Sequence, residues 1–148
     1  MIKKLIFLLI SVVYCVDSAC AQYRVSLQYA TKDAIMMRCV GYGKKAATAL
    51  IDAEQEAIRT LLFYGVSGTR YNMPLVSGNK TNMETKYKKF FETFYAKEYR
   101  SFIESSVIVT PFGKNALKQK CLTADVCVRI SQLRNYLETN NIIRKFGL

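Results

Sequence analysis

The chain has 148 residues, with 22 Lys and Arg against 11 Asp and Glu, a net charge of +11, five Cys, no His and no Trp. The missing histidine excludes Ser-His-Asp and Cys-His catalysis and histidine-bearing zinc sites, and it leaves no side chain with an unperturbed pKa near neutrality. The basic balance favours acidic partners: nucleic acid, an anionic membrane face or a polyanionic glycan.

Residues 1–21 read as a signal peptide. Lys3 and Lys4 form its positive start, residues 5–13 its apolar stretch, and Ala19-Cys20-Ala21 its small-residue cleavage site before Gln22. The uncharged run from Leu5 to Val16 is 12 residues, short of the ~20 that cross a bilayer. A lipid anchor at Cys20 is the minor variant, because Asp17 stands where a lipoprotein motif wants an apolar residue. Cleavage leaves a single domain over 22–148 with a net charge of +10 and no transmembrane helix. Three cysteines remain, so at most one internal disulfide forms: Cys39 with Cys121 or with Cys127, if either. Small buried thiols are the blander reading of all three.

Tyr23, Val25, Leu27 and Tyr29 alternate with polar residues and predict a half-buried strand. Residues 31–33 turn the chain into a second strand over 34–40. After Gly41-Tyr42-Gly43 a helix is predicted over 44–63, with an alanine-rich apolar face of Ala46, Leu50, Ala53, Ala57 and Leu61, widened by Ala49, Ile58 and Leu62. Alanine there lets a helix lie close on a sheet. Asp52, Glu56 and Arg59 read as a solvated, partly paired surface. Gly65 suits the end of that helix, and residues 65–82 form an 18-residue irregular stretch, long enough to be functional or mobile.

A second helix is predicted over 84–103, carrying seven aromatics within 16 residues from Tyr87 to Phe102. Their helical spacing favours a core stripe with lysines opposite; a stacking platform for single-stranded nucleic acid is the alternative. Residues 107–109 read as a third strand and 119–130 as a fourth, with Ala124, Val126, Val128 and Ile130 on one face. Ser131 is placed to cap a last helix bearing Leu133, Tyr136 and Leu137, which ends at Asn140-Asn141. The order ββ-α-α-ββ-α predicts an α+β two-layer sandwich: a mostly antiparallel sheet of three to four strands with about three helices on one face.

Two groups of residues are candidate sites. Gly41, Gly43, Lys44 and Lys45 lie at a strand-to-helix junction, where backbone N–H groups and two lysines could hold an anion weakly. The spacing is not that of a P-loop. Arg70, Tyr71, Asn72, Lys80, Lys86, Lys88, Lys89, Lys97 and Arg100 form the candidate interaction surface on the long loop and aromatic helix. No carboxylate pair is set for acid–base work, and no histidine exists to activate a thiol. The chain is therefore read as non-enzymatic, with no catalytic residue, metal, cofactor or small-molecule substrate. Asn79-Lys80-Thr81 matches a glycosylation acceptor, a short motif of low specificity.

Val40-Gly41-Tyr42-Gly43, followed by Ala46, Ala49, Asp52-Ala53 and Ala57, resembles the opening of the N-terminal module of flagellar assembly protein T and related small bacterial envelope lipoproteins. Residues 99–103 leading into 107–109, and 126–130 leading into Leu133 to Leu137, continue the likeness. Small exported Bacteroidota-type proteins share the Ile143 to Gly147 ending. The resemblance covers about 110 residues of apolar, glycine and alanine positions. It implies a small envelope module that helps assemble a larger surface structure. The expected function is an exported interaction module binding an envelope protein complex at the periplasm or outer membrane. The alternative is a polyanion binder using the basic second half, where residues 68–148 carry 14 basic and 6 acidic side chains.

Overall fold

The computed structural model describes residues 24–145. The predicted signal peptide, Cys20 and Tyr23 lie outside the described residues.

Strand β1, Val25–Ala30, and strand β2, Ile35–Tyr42, form the first antiparallel hairpin. Thr31 closes its turn: its N–H donates to the Ala34 carbonyl at 2.8 Å, and its hydroxyl accepts the Ala34 N–H at 3.0 Å. The second hairpin pairs β3, Ile103–Lys114, with β4, Lys120–Val128. β2 and β4 join the hairpins, giving one antiparallel sheet of order β1-β2-β4-β3. Along β2, Ile35, Met37, Cys39 and Gly41 are buried and alternate with half-buried residues. Leu122, Ala124, Val126 and Val128 of β4 extend that inner face.

Helix α1, Ala46–Phe63, lies across this inner face. Of the predicted stripe, Ala49, Ala53, Ala57, Ile58, Leu61 and Leu62 are buried, Leu50 is half-buried and Ala46 is exposed. Small residues bring the backbones together. A Cβ added to Gly41 would sit 1.9 Å from the Ala49 carbonyl oxygen, and one on Gly43 would sit 2.4 Å from the Thr48 hydroxyl. Neither position has room for a side chain. The helix starts at Ala46 rather than Lys44; Thr48 closes the first turn, its hydroxyl donating to the Lys45 carbonyl and accepting the Lys45 N–H.

The predicted second helix is three pieces: α2, Lys80–Lys86; α3, Lys88–Ala96; and a 3-10 turn, Glu98–Phe102. It begins earlier because the Asn79 carboxamide caps it, accepting the N–H of Thr81 at 2.9 Å. It breaks at Tyr87 (φ −112°, ψ 38°) and Lys97 (φ −154°, ψ −35°). The breaks gather the aromatic stripe into one cluster. On a straight helix Phe94 and Phe102 would lie ~12 Å apart along the axis, yet their ring centroids are 6.1 Å apart, and Phe102 lies 5.1 Å from Tyr136. Phe91, Phe94, Tyr99 and Phe102 are buried in the main core. The aromatic stripe is core, not a stacking platform.

β3 runs from Ile103 to Lys114, far beyond the three residues expected. Pro111 is tolerated because β3 is an edge strand with register irregularities on both sides of Thr110. Helix α4, Ile130–Thr139, starts after Arg129, so Ser131 is not its cap. The Ser131 hydroxyl instead donates to the Asp33 carboxylate at 2.8 Å, tying α4 to the first hairpin turn.

The fold is an α+β two-layer sandwich. Among the described residues, no helix is long and apolar enough to cross a membrane. Cys39, Cys121 and Cys127 are free thiols. Cys39 faces α1, whereas Cys121 and Cys127 project from the opposite face with Arg38 and Asp125, so neither candidate disulfide forms.

Candidate binding groove

After Phe63 the chain turns at Gly65, whose φ of +77° and closeness to Asn72 (an added Cβ would lie 2.3 Å from its carbonyl oxygen) require glycine. The loop that follows is fastened rather than loose. The Val66 N–H donates to the Tyr71 carbonyl at 2.8 Å, and the N–H groups of Leu75 and Val76 donate to the Leu61 and Leu62 carbonyls at 3.0 and 2.9 Å. Val76 is fully buried. The Tyr71 hydroxyl crosses to the Lys32 carbonyl at 2.5 Å. At the other end of the chain, the Ile142 N–H donates to the Leu137 carbonyl at 2.9 Å and folds the tail back after α4.

Between this loop, α2 and the tail lies an open groove of about 1320 Å³. Arg70, Lys86, Arg134, Arg144 and Lys145 line it, with no Asp or Glu among the lining residues. Met73, Leu75, Met83, Ile142 and Ile143 give it an apolar surface. Two cation–aromatic pairs frame it: Arg70 over Tyr71 at 5.7 Å and Lys86 over Tyr87 at 5.1 Å. Arg134 is partly neutralised by Glu138, 3.2 Å away on the same helix. Loop, helix and tail thus converge on one cationic, part-apolar concavity. Such a surface can bind an anionic group and an apolar side chain together, and methionines let it adapt to the ligand's shape.

Of the residues read from sequence as an interaction surface, the groove gathers Arg70, Tyr71, Asn72 and Lys86. Lys80, Lys88, Lys89, Lys97 and Arg100 do not line it. Lys88 faces Glu92 at 3.7 Å, and Arg100 donates to the Tyr99 hydroxyl at 3.2 Å. Arg134, Arg144 and Lys145 line it without belonging to the surface read from sequence; the Arg144-Lys145 pair in an otherwise apolar tail is the one sequence signal for them. At the other candidate site, Gly41 and Gly43 are accounted for by helix packing, and Lys44 and Lys45 are exposed.

The carboxylates of α1 do structural work. Asp52 and Glu56 are half-buried, not solvated, and share Arg24 and Arg59. Asp52 also accepts the Tyr42 N–H at 2.9 Å. Glu54 takes hydrogen bonds from Ser106 and Tyr99 at 2.8 and 3.2 Å, binding α1 to β3 and the 3-10 turn. Burial pushes the Cys39 thiol up to about 12. It also raises the Cys127 thiol, which donates to Glu104. Both are held as neutral thiols, the unreactive form. Among the described residues, no cluster of three or more His, Cys, Asp or Glu could hold a metal ion.

Comparison with family models, curated proteins and solved structures gives no match.

Proposed function

We propose that this protein is an exported, non-enzymatic interaction module of the bacterial envelope, and that its groove docks an acidic, part-apolar segment of a protein partner at the periplasm or outer membrane. The observation behind this reading is the groove lining: five cations, an apolar surface and no carboxylate. A purely electrostatic surface needs no apolar floor, and a small-molecule site would be more enclosed. The leader-like residues 1–21 and the likeness to the flagellar assembly protein T module support the compartment and the assembly role.

A labelled peptide alternating Glu with Leu and Met tests the site by fluorescence anisotropy. Binding at 0.15 M salt, weakened at least tenfold by Arg70→Glu with Lys86→Glu, is expected. No binding, or binding unchanged by the pair, overturns the groove as the docking site. The two cation–tyrosine pairs favour a second reading, a polyanion ligand. That reading predicts tighter binding of heparin or single-stranded DNA than of the peptide, with a steep fall in affinity as salt rises. Export has its own check. Expressed in a Gram-negative host, the full chain should yield a mature N-terminus at Gln22; an acylated Cys20 start would mean a lipoprotein.

A further inference from the structure

The two edges of the sheet differ. β1 is short, and Arg24 just before it is fixed to Asp52 and Glu56 of α1. β3 has 12 residues and, among the described strands, pairs with β4 alone. Its middle exposes three consecutive apolar residues: Val107 at 57%, Ile108 at 47% and Val109 at 42%. An apolar edge strand with unpaired backbone groups is a template for another strand.

We propose that the β3 edge pairs with the β3 edge of a second copy, antiparallel and about a two-fold axis at Val109. The strand is self-complementary in that register. Val109 lies opposite its own copy, Ile108 opposite Thr110, Val107 opposite Pro111, and Glu104 opposite Lys114. Each closed pair therefore contains two Glu104–Lys114 contacts related by the axis. Both side chains are exposed, and neither makes an ion pair among the described residues. Opposite charges facing across an antiparallel pair favour that register over its slips. Pro111 has no N–H to give, and the irregularities around Thr110 increase local twist, so the ladder is interrupted and the dimer weak. The product is a continuous eight-stranded sheet with α1 of each copy on its own half. The basic groove lies on other elements and takes no part.

Sedimentation equilibrium from about 5 to 200 μM tests the pairing. The wild type should show a monomer–dimer equilibrium, and Val109→Lys should be monomeric throughout while keeping its circular dichroism. Glu104→Lys and Lys114→Glu should each weaken the dimer about three- to tenfold, the range expected for two exposed ion pairs lost together and replaced by like charges. The double variant Glu104→Lys with Lys114→Glu should recover most of the wild-type affinity. A wild type that stays monomeric, a dimer that survives Val109→Lys, or a double variant no better than the singles would each overturn the proposal.

Discussion

The seam between α1 and the sheet and the groove at the loop end are built on opposite rules. In the seam, contacts come from small residues in two adjoining elements: Gly41 and Gly43 against Ala49, Ala53 and Thr48. There is no spare volume. In the groove, five cations come from the loop, α2, α4 and the tail, separated by up to 75 positions, and an open volume of about 1320 Å³ is kept between them. The seam holds the molecule together, and it has no tolerance for added atoms. The groove is carried on elements anchored elsewhere, so its lining can change without disturbing the fold.

The sharpest way to break this contrast is to add a methyl group to the seam. Gly41→Ala places a Cβ 1.9 Å from the Ala49 carbonyl oxygen and 2.8 Å from the Ala53 Cβ. A backbone oxygen cannot swing aside as a flexible side chain can. The helix must lift off the sheet, uncovering Ile35, Met37 and Val126. A loss above ~4 kcal/mol is expected, comparable with the whole stability of many domains. Circular dichroism should show an unfolded or molten chain at 25 °C. A cooperative melt within a few degrees of wild type would show that the seam is looser than described.

Next in size is the aromatic cluster that joins the helical pieces to the core. Phe94 is fully buried and meets Phe90, Tyr95, Phe102 and Tyr136. Phe94→Ala should cost about 3–5 kcal/mol, read from denaturant midpoints at unchanged m-value. Phe94→Leu should recover more than half of that, because volume and apolarity matter more than ring geometry here.

These two regions also differ in how far the sequence reveals them. Alternation along 35–41 and 122–128 identifies both inner strands, and Gly41 followed by alanines at helical spacing identifies the tight seam. Such signals are local. The breaks at Tyr87 and Lys97 are invisible to helical periodicity, because they arise from the need to bring Phe94, Phe102 and Tyr136 into one layer. The groove is harder still. Arg70 and Lys86 are readable as basic residues beside tyrosines, but Arg144 joins them only because Ile142 folds the tail back onto Leu137. Arg24 likewise meets Asp52 and Glu56 only through the β1–β2 pairing. Charge that looks solvated in a linear reading is half-buried once a distant strand end supplies its partner.

A moderate effect comes from pH. Burial raises Cys39 to about 12 from its ordinary 9.0. Burial and then the hydrogen bond to Glu98 raise Tyr136 to about 12 from 10.0. Burial raises Tyr95 as well. In each case the unfolded chain loses a proton that the folded protein keeps. The stabilisation is fully present below about pH 9 and is lost as pH rises towards 12. Denaturant midpoints should fall steadily between pH 8.5 and 11, and Cys39→Ala should flatten the first part of that fall. A stability that rises with pH in this window would contradict the burial of these groups.

The smallest expected change in stability belongs to the groove, and there the contrast with the seam is tested most directly. Arg70 and Lys86 make no ion pair among the described residues, and both are exposed. Each lies over a tyrosine ring of its own segment, an arrangement worth ~0.5–1 kcal/mol at an exposed site. Arg70→Gln and Lys86→Gln should therefore shift the melting midpoint by no more than about 8 °C together. The acidic peptide should nevertheless bind several-fold more weakly, because the same two charges face the ligand with no carboxylate among the groove's lining residues. If stability and binding fall in proportion, the groove is part of the scaffold after all. If binding falls and the melt does not, recognition is separable from the fold, as expected of a site carried on fastened loops beside a seam that cannot move.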